Sequence, residues 1–354
     1  MSKLVFIVLF WAAVLVLSAQ LGLLHHAANG GDSAWATYKE GQSEADNLPS
    51  SDRFRDRTPR MVADMTKTML RYGTFTHVLA HAPFPYSGKY EDSNVNFFDY
   101  IDPQTGQRFH TNRYGERFSE HDHYGDGRVL FHIPPHFDPE RPFVYVVFFH
   151  GIFSEVRQCV RDYRLDEQID KSGKNVILVA PQLAKNAADS SPGKLFRRSA
   201  FRAMMQEVAG VLARRLGNEH RAHLEGAPIL LVAFSGGYKA VGSILDRGGT
   251  QSRIKGVVLF DALYADVEKF EKWIRHRSGK AFLIDIFTTG ACEENSRVLS
   301  SQLLRHQLHF STDWPSRISK RGIYLIRSET DHMRIPIEGP PSEPLKEILR
   351  NLRM

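Results

Sequence analysis

In the C-terminal two-thirds of the chain, apolar residues come in short runs, interrupted inside only by Lys255 and Asp285, instead of alternating with polar ones. Residues 143–149 read Phe-Val-Tyr-Val-Val-Phe-Phe, and similar runs occupy 175–180, 228–234, 254–260, 281–287 and 322–327. Each has the length of a strand, and a near-continuous apolar run is what a strand buried on both faces requires. Between the runs the period changes to that of a helix. The clearest case spans 194–216, with Phe201, Met204, Met205, Val208, Val211 and Leu212 along one stripe. Further helical segments are expected at 155–171, 238–246, 267–275, 293–308 and 342–352. Strands alternating with helices call for right-handed crossovers and a mostly parallel sheet with helices on both faces, the α/β class. Such sheets bind ligands at the carboxyl ends of their strands.

Upstream the pattern is different. Residues 73–142 are dense in aromatics, histidines, Asp-Pro and Pro-Pro turns, with short alternating stretches such as 128–133. This predicts irregular structure with β-hairpins, ending in an antiparallel strand. Met61, Met65 and Met69 mark a helical period at 61–72. Residues 29–60 are polar and rich in Gly, Ser, Asp and Glu, as in a linker. Residues 4–24 contain no charged side chain and follow Lys3. That run matches the length of about 20 residues a membrane-spanning helix needs and exceeds a usual secretory apolar core. The expected organisation is therefore a signal anchor, or alternatively a cleaved signal peptide, at 1–28 and a linker at 29–60. An extension with short strands, forming a wall of the cleft, is expected at 61–141, and the α/β domain at 142–354. The folded part is expected outside the cytoplasm, in the cell envelope, held to the membrane by the N-terminal helix or released if the signal is cleaved.

Charge narrows the partners. The formal net charge is +6, but the basic residues are scattered apart from Arg197, Arg198, Arg202, Arg214 and Arg215 on one helical segment. A solvated helix face accounts for these, with an anionic lipid surface as the sharper alternative. No basic patch is interleaved with aromatics, so nucleic acid is not an expected partner. The two cysteines, Cys159 and Cys292, have no metal-ligand spacing and form no disulfide framework; they read as separate buried thiols.

The chemistry concentrates at 228–240, where an apolar run ends in Ser235, two glycines follow, and a helix begins. A nucleophile elbow has this form, because a strained strand-to-helix turn pushes the serine oxygen into a cleft. Small residues must flank it, and Ala233, Gly236 and Gly237 do so, with Ala233 where the usual pattern has its first glycine. A serine N-cap is the plainer reading of the same stretch. Two other polar residues close expected strands: Asp261 after 254–260, and His332 shortly after 322–327. A serine hydroxyl needs a base to take its proton, histidine titrates near neutrality, and a carboxylate orients the ring. His110, His121, His123, His132 and His136 crowd the extension. Read on a strand, His121 and His123 would share a face and could chelate a metal. No His-Glu-x-x-His or Cys/His set accompanies them, so no metal is expected. Surface positions or substrate contact account for these histidines.

With its elbow, its His150-Gly151 pair after an early strand, and its terminal histidine, the chain from about residue 142 to its end resembles an α/β-hydrolase. The resemblance implies an oxyanion hole made by the N–H of Gly236 and an N–H at Gly151 or Ile152, with His150 shaping that loop. It implies a triad of Ser235, His332 and an acid: Asp261, or alternatively Glu293. Asp285 lies inside its strand, Asp331 reads as a solvated loop residue, and Tyr238 and Lys239 as packing and surface residues. The implied activity is hydrolysis of a carboxylic ester or amide through an acyl-enzyme, on a small-molecule or cell-envelope substrate, without a cofactor. A non-catalytic binding protein on the same fold is the alternative, and a metal hydrolase built on the histidines a third reading.

Overall fold

The computed structural model describes residues 71–91, 93–277 and 279–352. The strands are β1 (Gly73–Val78), β2 (Tyr100–Ile101), β3 (Arg108–Thr111), β4 (Arg117–Ser119), β5 (Arg128–Ile133), β6 (Val144–Phe149), β7 (Val176–Pro181), β8 (Ile229–Phe234), β9 (Ile254–Phe260), β10 (Phe282–Phe287) and β11 (Ile323–Arg327). Eight of them form one sheet in the order β1-β5-β7-β6-β8-β9-β10-β11, and β2, β3 and β4 form a small second sheet. The six apolar runs are β6 to β11, and all pairings among them are parallel.

Helices cover both faces. Along β6, Tyr145, Val147 and Phe149 enter one core layer and Val146 and Phe148 the other. The first layer is closed by α3 (Ala200–Leu216), α5 (Tyr238–Arg247), α6 (Val267–His276) and α7 (Ala291–Arg305). The second is closed by α1 (Val156–Asp162), α2 (Leu165–Ser172) and α9 (Pro344–Asn351). The short helices α4 (Arg221–Gly226) and α8 (Ile335–Glu338) complete the set. Every residue of β7 and β8 is buried, which is why their sequences carry no polar position.

Three expectations are corrected. The helix expected at 155–171 is two helices, broken where Arg164 adopts φ +52°. The break frees the Tyr163 carbonyl, and the buried Gln168 amide donates to it at 2.9 Å. The helix expected from 194 begins at Ala200. Gly193–Phe196 is a separate 3-10 turn that sends Leu195 into the main core and Phe196 into an aromatic cluster. Residue 142 is no structural boundary, because β1 and β5 form the antiparallel edge of the main sheet and Phe131 and Ile133 share its core. The rest of the extension packs around Phe84, Tyr86, Phe97, Phe98 and Tyr124, with Phe196 from the α/β part. The expectations for 1–28 and 29–60 lie outside the described residues. Among the described residues no helix is long and apolar enough to cross a membrane.

Strand order also places the site. From β6 the chain turns to β7 on one side, and from β8 it turns to β9 on the other. The loops after β6 and β8 therefore diverge and leave a crevice at their carboxyl ends.

Candidate active site

Ser235 stands at that crevice, directly after β8, in a single 3-10 turn (Ser235–Gly237) that runs into α5. Its φ is +52°, a left-handed conformation that costs a non-glycine residue about 1–3 kcal/mol and persists only when surroundings enforce it. Close packing does so here. A Cβ on Gly237 would collide with the Phe149 carbonyl oxygen, so only glycine lets the elbow press against β6. A Cβ on Gly151 would sit 2.8 Å from Ser235 Cβ and 3.2 Å from its Oγ. The serine hydroxyl thus lies against the loop that follows β6.

His150 organises that loop. It is fully buried, its Nδ1 lies 2.7 Å from the Gly151 carbonyl oxygen, and its Nε2 lies 2.9 Å from the Leu183 amide nitrogen. A carbonyl can only accept and an amide N–H only donate, so Nδ1 carries the proton and Nε2 accepts. Gln182 Nε2 is a second donor to the same Nε2, at 2.8 Å. Burial pushes the ring's pKa down to about 4, which keeps it neutral. Because the Gly151 carbonyl turns toward this ring, the N–H across the trans peptide, that of Ile152, faces the other way. The Ile152 nitrogen lies 3.2 Å from where a Cβ on Gly236 would stand, on the elbow side of the crevice. Ser190 Oγ lies 2.7 Å from that same point.

Asp261 follows β9, also with positive φ (+44°), and is buried. Its Oδ2 is 2.6 Å from His332 Nδ1. Thr288 donates its backbone N–H to Oδ1 and its hydroxyl to Oδ2, both at 2.7 Å. Burial alone would raise the carboxyl's pKa. The His332 hydrogen bond and charge, with the Thr288 bonds, outweigh it and hold the group below the usual carboxylate range. His332 opens a 3-10 turn after β11. Its ring stacks on Phe234, the residue before Ser235, at 4.8 Å between centroids, and meets the edge of Tyr264 at 6.1 Å. The imidazole is therefore seated over the end of the elbow strand, with Nδ1 committed to Asp261. Glu293 is elsewhere engaged, accepting from Arg297 at 2.7 Å and standing 3.6 Å from Arg327. Asp285 is sealed in β10, where Ser296 donates to its Oδ2 and burial pushes its pKa up to about 7.

The fold is that of the α/β-hydrolases. The strand order and the places of Ser235 after β8, Asp261 after β9 and His332 after β11 match that arrangement. No family model matches the chain, and no curated protein matches it. Solved structures do. A feruloyl esterase module from Clostridium thermocellum, complexed with sinapinate, aligns with TM-score 0.42 and 13% identity over 77% of this chain and 98% of its own. An S-formylglutathione hydrolase from Agrobacterium tumefaciens aligns with TM-score 0.40 and 10% identity, over 72% and 99%. Thermogutta terrifontis esterase 2, phosphonylated by sarin, gives 0.40 and 12%, over 62% and 86%. Likeness this loose transfers no residue and no substrate.

A cleft of about 370 Å³ opens beside the elbow, lined among others by Ile152, Ser190, Tyr238 and Lys239 and, from the extension, by Tyr90, His110 and Asn112. The other crowded histidines are dispersed. His123 Nδ1 bonds the Lys185 carbonyl, His132 lies between Thr74 and Asp170, His136 bonds the Lys174 carbonyl, and the exposed His121 bonds Asp122. Residues 120–124 form a π-helical turn capped by Ser119, not a strand, so His121 and His123 do not share a strand face. Among the described residues no three His, Cys, Asp or Glu side chains are grouped to hold a metal. Cys159 and Cys292 are both free and buried.

Four residues escaped the sequence reading. Thr288, Gln182, Ser190 and Lys239 all act on or face the site. Thr288 had a usable signal, since it closes the strand next to the one ending at Asp261. Lys239 was expected at the surface, but the first turn of α5 faces the crevice, and the side chain lines the cleft half-buried.

Proposed function

We propose that this chain is a serine hydrolase that cleaves a carboxylic ester or amide through an acyl-enzyme. The observation that carries the reading is the 2.6 Å pairing of His332 with buried Asp261, seated over a strand end where Ser235 is held at φ +52°. In this reading Ser235 Oγ attacks the substrate carbonyl carbon while His332 Nε2 takes its proton. Asp261 fixes the tautomer and stabilises the imidazolium that forms. The negative charge on the carbonyl oxygen is received by the N–H groups of Gly236 and Ile152, and a donor of this kind is worth about 10²–10³ in rate. His332 returns the proton to the departing alcohol or amine as its bond to carbon breaks. Water, deprotonated by the same histidine, then releases the acid and regenerates Ser235. The tautomer of His150 supports the oxyanion role, because it fixes the direction of the Ile152 N–H without adding a charge.

A fluorophosphonate probe tests this directly. It is expected to label Ser235 in the folded protein, and labelling is expected to vanish in Ser235→Ala and fall steeply in His332→Ala. A folded wild-type protein that stays unlabelled would sink the proposal.

A further inference from the structure

Lys239 lies on the first turn of α5, four residues after Ser235, and lines the cleft together with Ile152 and Ser190. Its Nζ donates to Tyr90 Oη at 2.8 Å and stands 5.0 Å from the Tyr90 ring centroid and 5.9 Å from that of Phe196. All three contacts are with neutral groups. Among the described residues no carboxylate lies within ion-pair distance of it. Lys269, on the neighbouring α6, shows the usual arrangement: it holds Asp266 at 3.0 Å and Glu91 at 3.2 Å. Glu91, the nearest acid to act on Lys239, is thus already taken.

The acids of the cleft itself are also engaged. Asp99 accepts the Thr111 N–H at 2.8 Å. Asp189 accepts the Ser191 N–H and hydroxyl at 3.0 and 2.8 Å, and the Tyr124 hydroxyl at 3.1 Å. Burial by itself would lower the pKa of Lys239, but Tyr90 and Glu91 outweigh it and keep the group above the usual lysine range, so it is charged near neutrality. An ammonium carries three donors, and the hydrogen bond to Tyr90 uses one, so Lys239 keeps the capacity to donate to an anion entering the cleft. The cleft opens beside the elbow that carries Ser235, so on the serine hydrolase reading the anion that meets Lys239 there belongs to the substrate.

We propose that the substrate cleaved at Ser235 carries a carboxylate, on its acyl or its alcohol side, and that Lys239 receives that carboxylate. This rests on the serine hydrolase reading above and names its substrate class. A charge-assisted hydrogen bond from a half-buried lysine would favour an acidic ester over its neutral counterpart by about tenfold or more in kcat/KM.

Two pairs of esters read the preference: para-nitrophenyl hydrogen glutarate against para-nitrophenyl pentanoate, and para-carboxyphenyl against phenyl butanoate. In at least one pair the ratio of acidic to neutral kcat/KM is expected to fall about tenfold or more in Lys239→Gln and to be largely kept in Lys239→Arg. A purely structural lysine bonded to Tyr90 would lower both rates together and leave the ratio unmoved. Ratios equal in wild type and Lys239→Gln for both pairs would overturn the proposal. Binding is read apart from turnover, by calorimetry of glutarate and para-hydroxybenzoate on Ser235→Ala at low salt. Binding of one of them that weakens about tenfold when Lys239→Gln is added supports the anion site. Equal binding, or none of either, overturns it. The two readings fail separately: absence of fluorophosphonate labelling refutes the nucleophile, whereas a labelled protein indifferent to charge refutes only the role of Lys239.

Discussion

The parallel strands and the antiparallel extension build the crevice by different means. β6 to β11 are held by uniform burial of aliphatic side chains on both faces, and they supply every group proposed to move a proton or receive the oxyanion. The extension is held by a cluster of rings, among them Phe97 and Tyr124 edge to face at 5.2 Å and Phe97 and His110 stacked at 4.2 Å. It supplies one wall of the cleft. Reacting groups on strand ends inherit the rigidity of the sheet, whereas a wall of rings and loops can change shape without disturbing them. The comparison therefore predicts a division of labour: damage to the sheet ends removes turnover, and damage to the wall alters what binds.

The most severe test is at the elbow. Ser235→Ala is expected to lower kcat by about 10⁶-fold on any ester the wild type turns over. Its melting temperature should stay close to that of wild type, because alanine fills the same space and keeps the same strained φ. Activity surviving at a hundredth of wild type or more would place the nucleophile elsewhere and break the assignment of chemistry to the strand ends.

Next in size is the acid. Asp261→Asn removes the acceptor that fixes the imidazole tautomer and should cost about 10⁴-fold in kcat. Glu293→Gln breaks only partly exposed pairs with Arg297 and Arg327 and should stay within about twofold. Asp261 also leaves a signature in stability. Its folded pKa lies below the ordinary carboxylate value of about 4, so the folded state binds the proton less readily than the unfolded chain. The stabilisation is complete above that ordinary value and is lost as pH falls through the folded one. Urea denaturation as a function of pH should show this acid loss in wild type and a shallower one in Asp261→Asn. Equal slopes would argue against the pairing with His332.

Much of this was legible in sequence because both faces of the parallel strands meet apolar helices. Burial of that kind leaves near-continuous apolar runs, and each run ends where the chemistry begins. The elbow could be read because its geometry demands small neighbours. Where residue types are less constrained, the pattern gave less. β1 and β5 belong to the main sheet, but as an antiparallel edge their sequences alternate weakly and look like the extension around them. The break at Arg164 leaves no mark, since Arg is neither a turn residue nor a helix breaker. Thr288 is legible as a strand end but not in its role, because a threonine closing a strand is an ordinary residue there and only the fold brings it against Asp261. In this chain the carboxylate stands one strand earlier, and the loop after β10 provides the donors that orient it. Lys239 could not be distinguished from a surface lysine, because only the three-dimensional account of its partners shows that, among the described residues, it forms no ion pair.

The wall is tested by Phe97→Ala. Phe97 is fully buried in the ring cluster, and truncating a buried aromatic costs roughly 3–5 kcal/mol of stability. If the division of labour is right, the protein that remains folded should show a raised KM with kcat changed much less, since His110 and Tyr90 shift while the strand ends do not. A kcat that collapses in step with stability would show that the wall and the sheet ends act as one unit.

The smallest and most specific effect concerns His150, which has no proposed contact with substrate. Its ring is neutral because burial pushes its pKa down to about 4, against about 6.5 in an unfolded chain. Between those values the unfolded state binds a proton the folded state refuses. The stabilisation is therefore complete above pH 6.5 and declines as pH falls to about 4, by roughly 3 kcal/mol in all. This window lies higher than that of Asp261, so the two groups can be separated in one series of denaturation curves. His150→Gln should flatten the curve between pH 6.5 and 4 and leave the steeper acid limb in place. It should also lower kcat by about tenfold, as the Gly151 carbonyl loses its donor and the Ile152 N–H loses its fixed direction. If that variant does not fold, nitrogen chemical shifts of the wild-type ring answer the same question. A neutral ring with the proton on Nδ1, persisting to about pH 4, is expected. A ring that titrates near 6.5 would mean that water reaches it, and the oxyanion loop would then be as adaptable as the wall it faces.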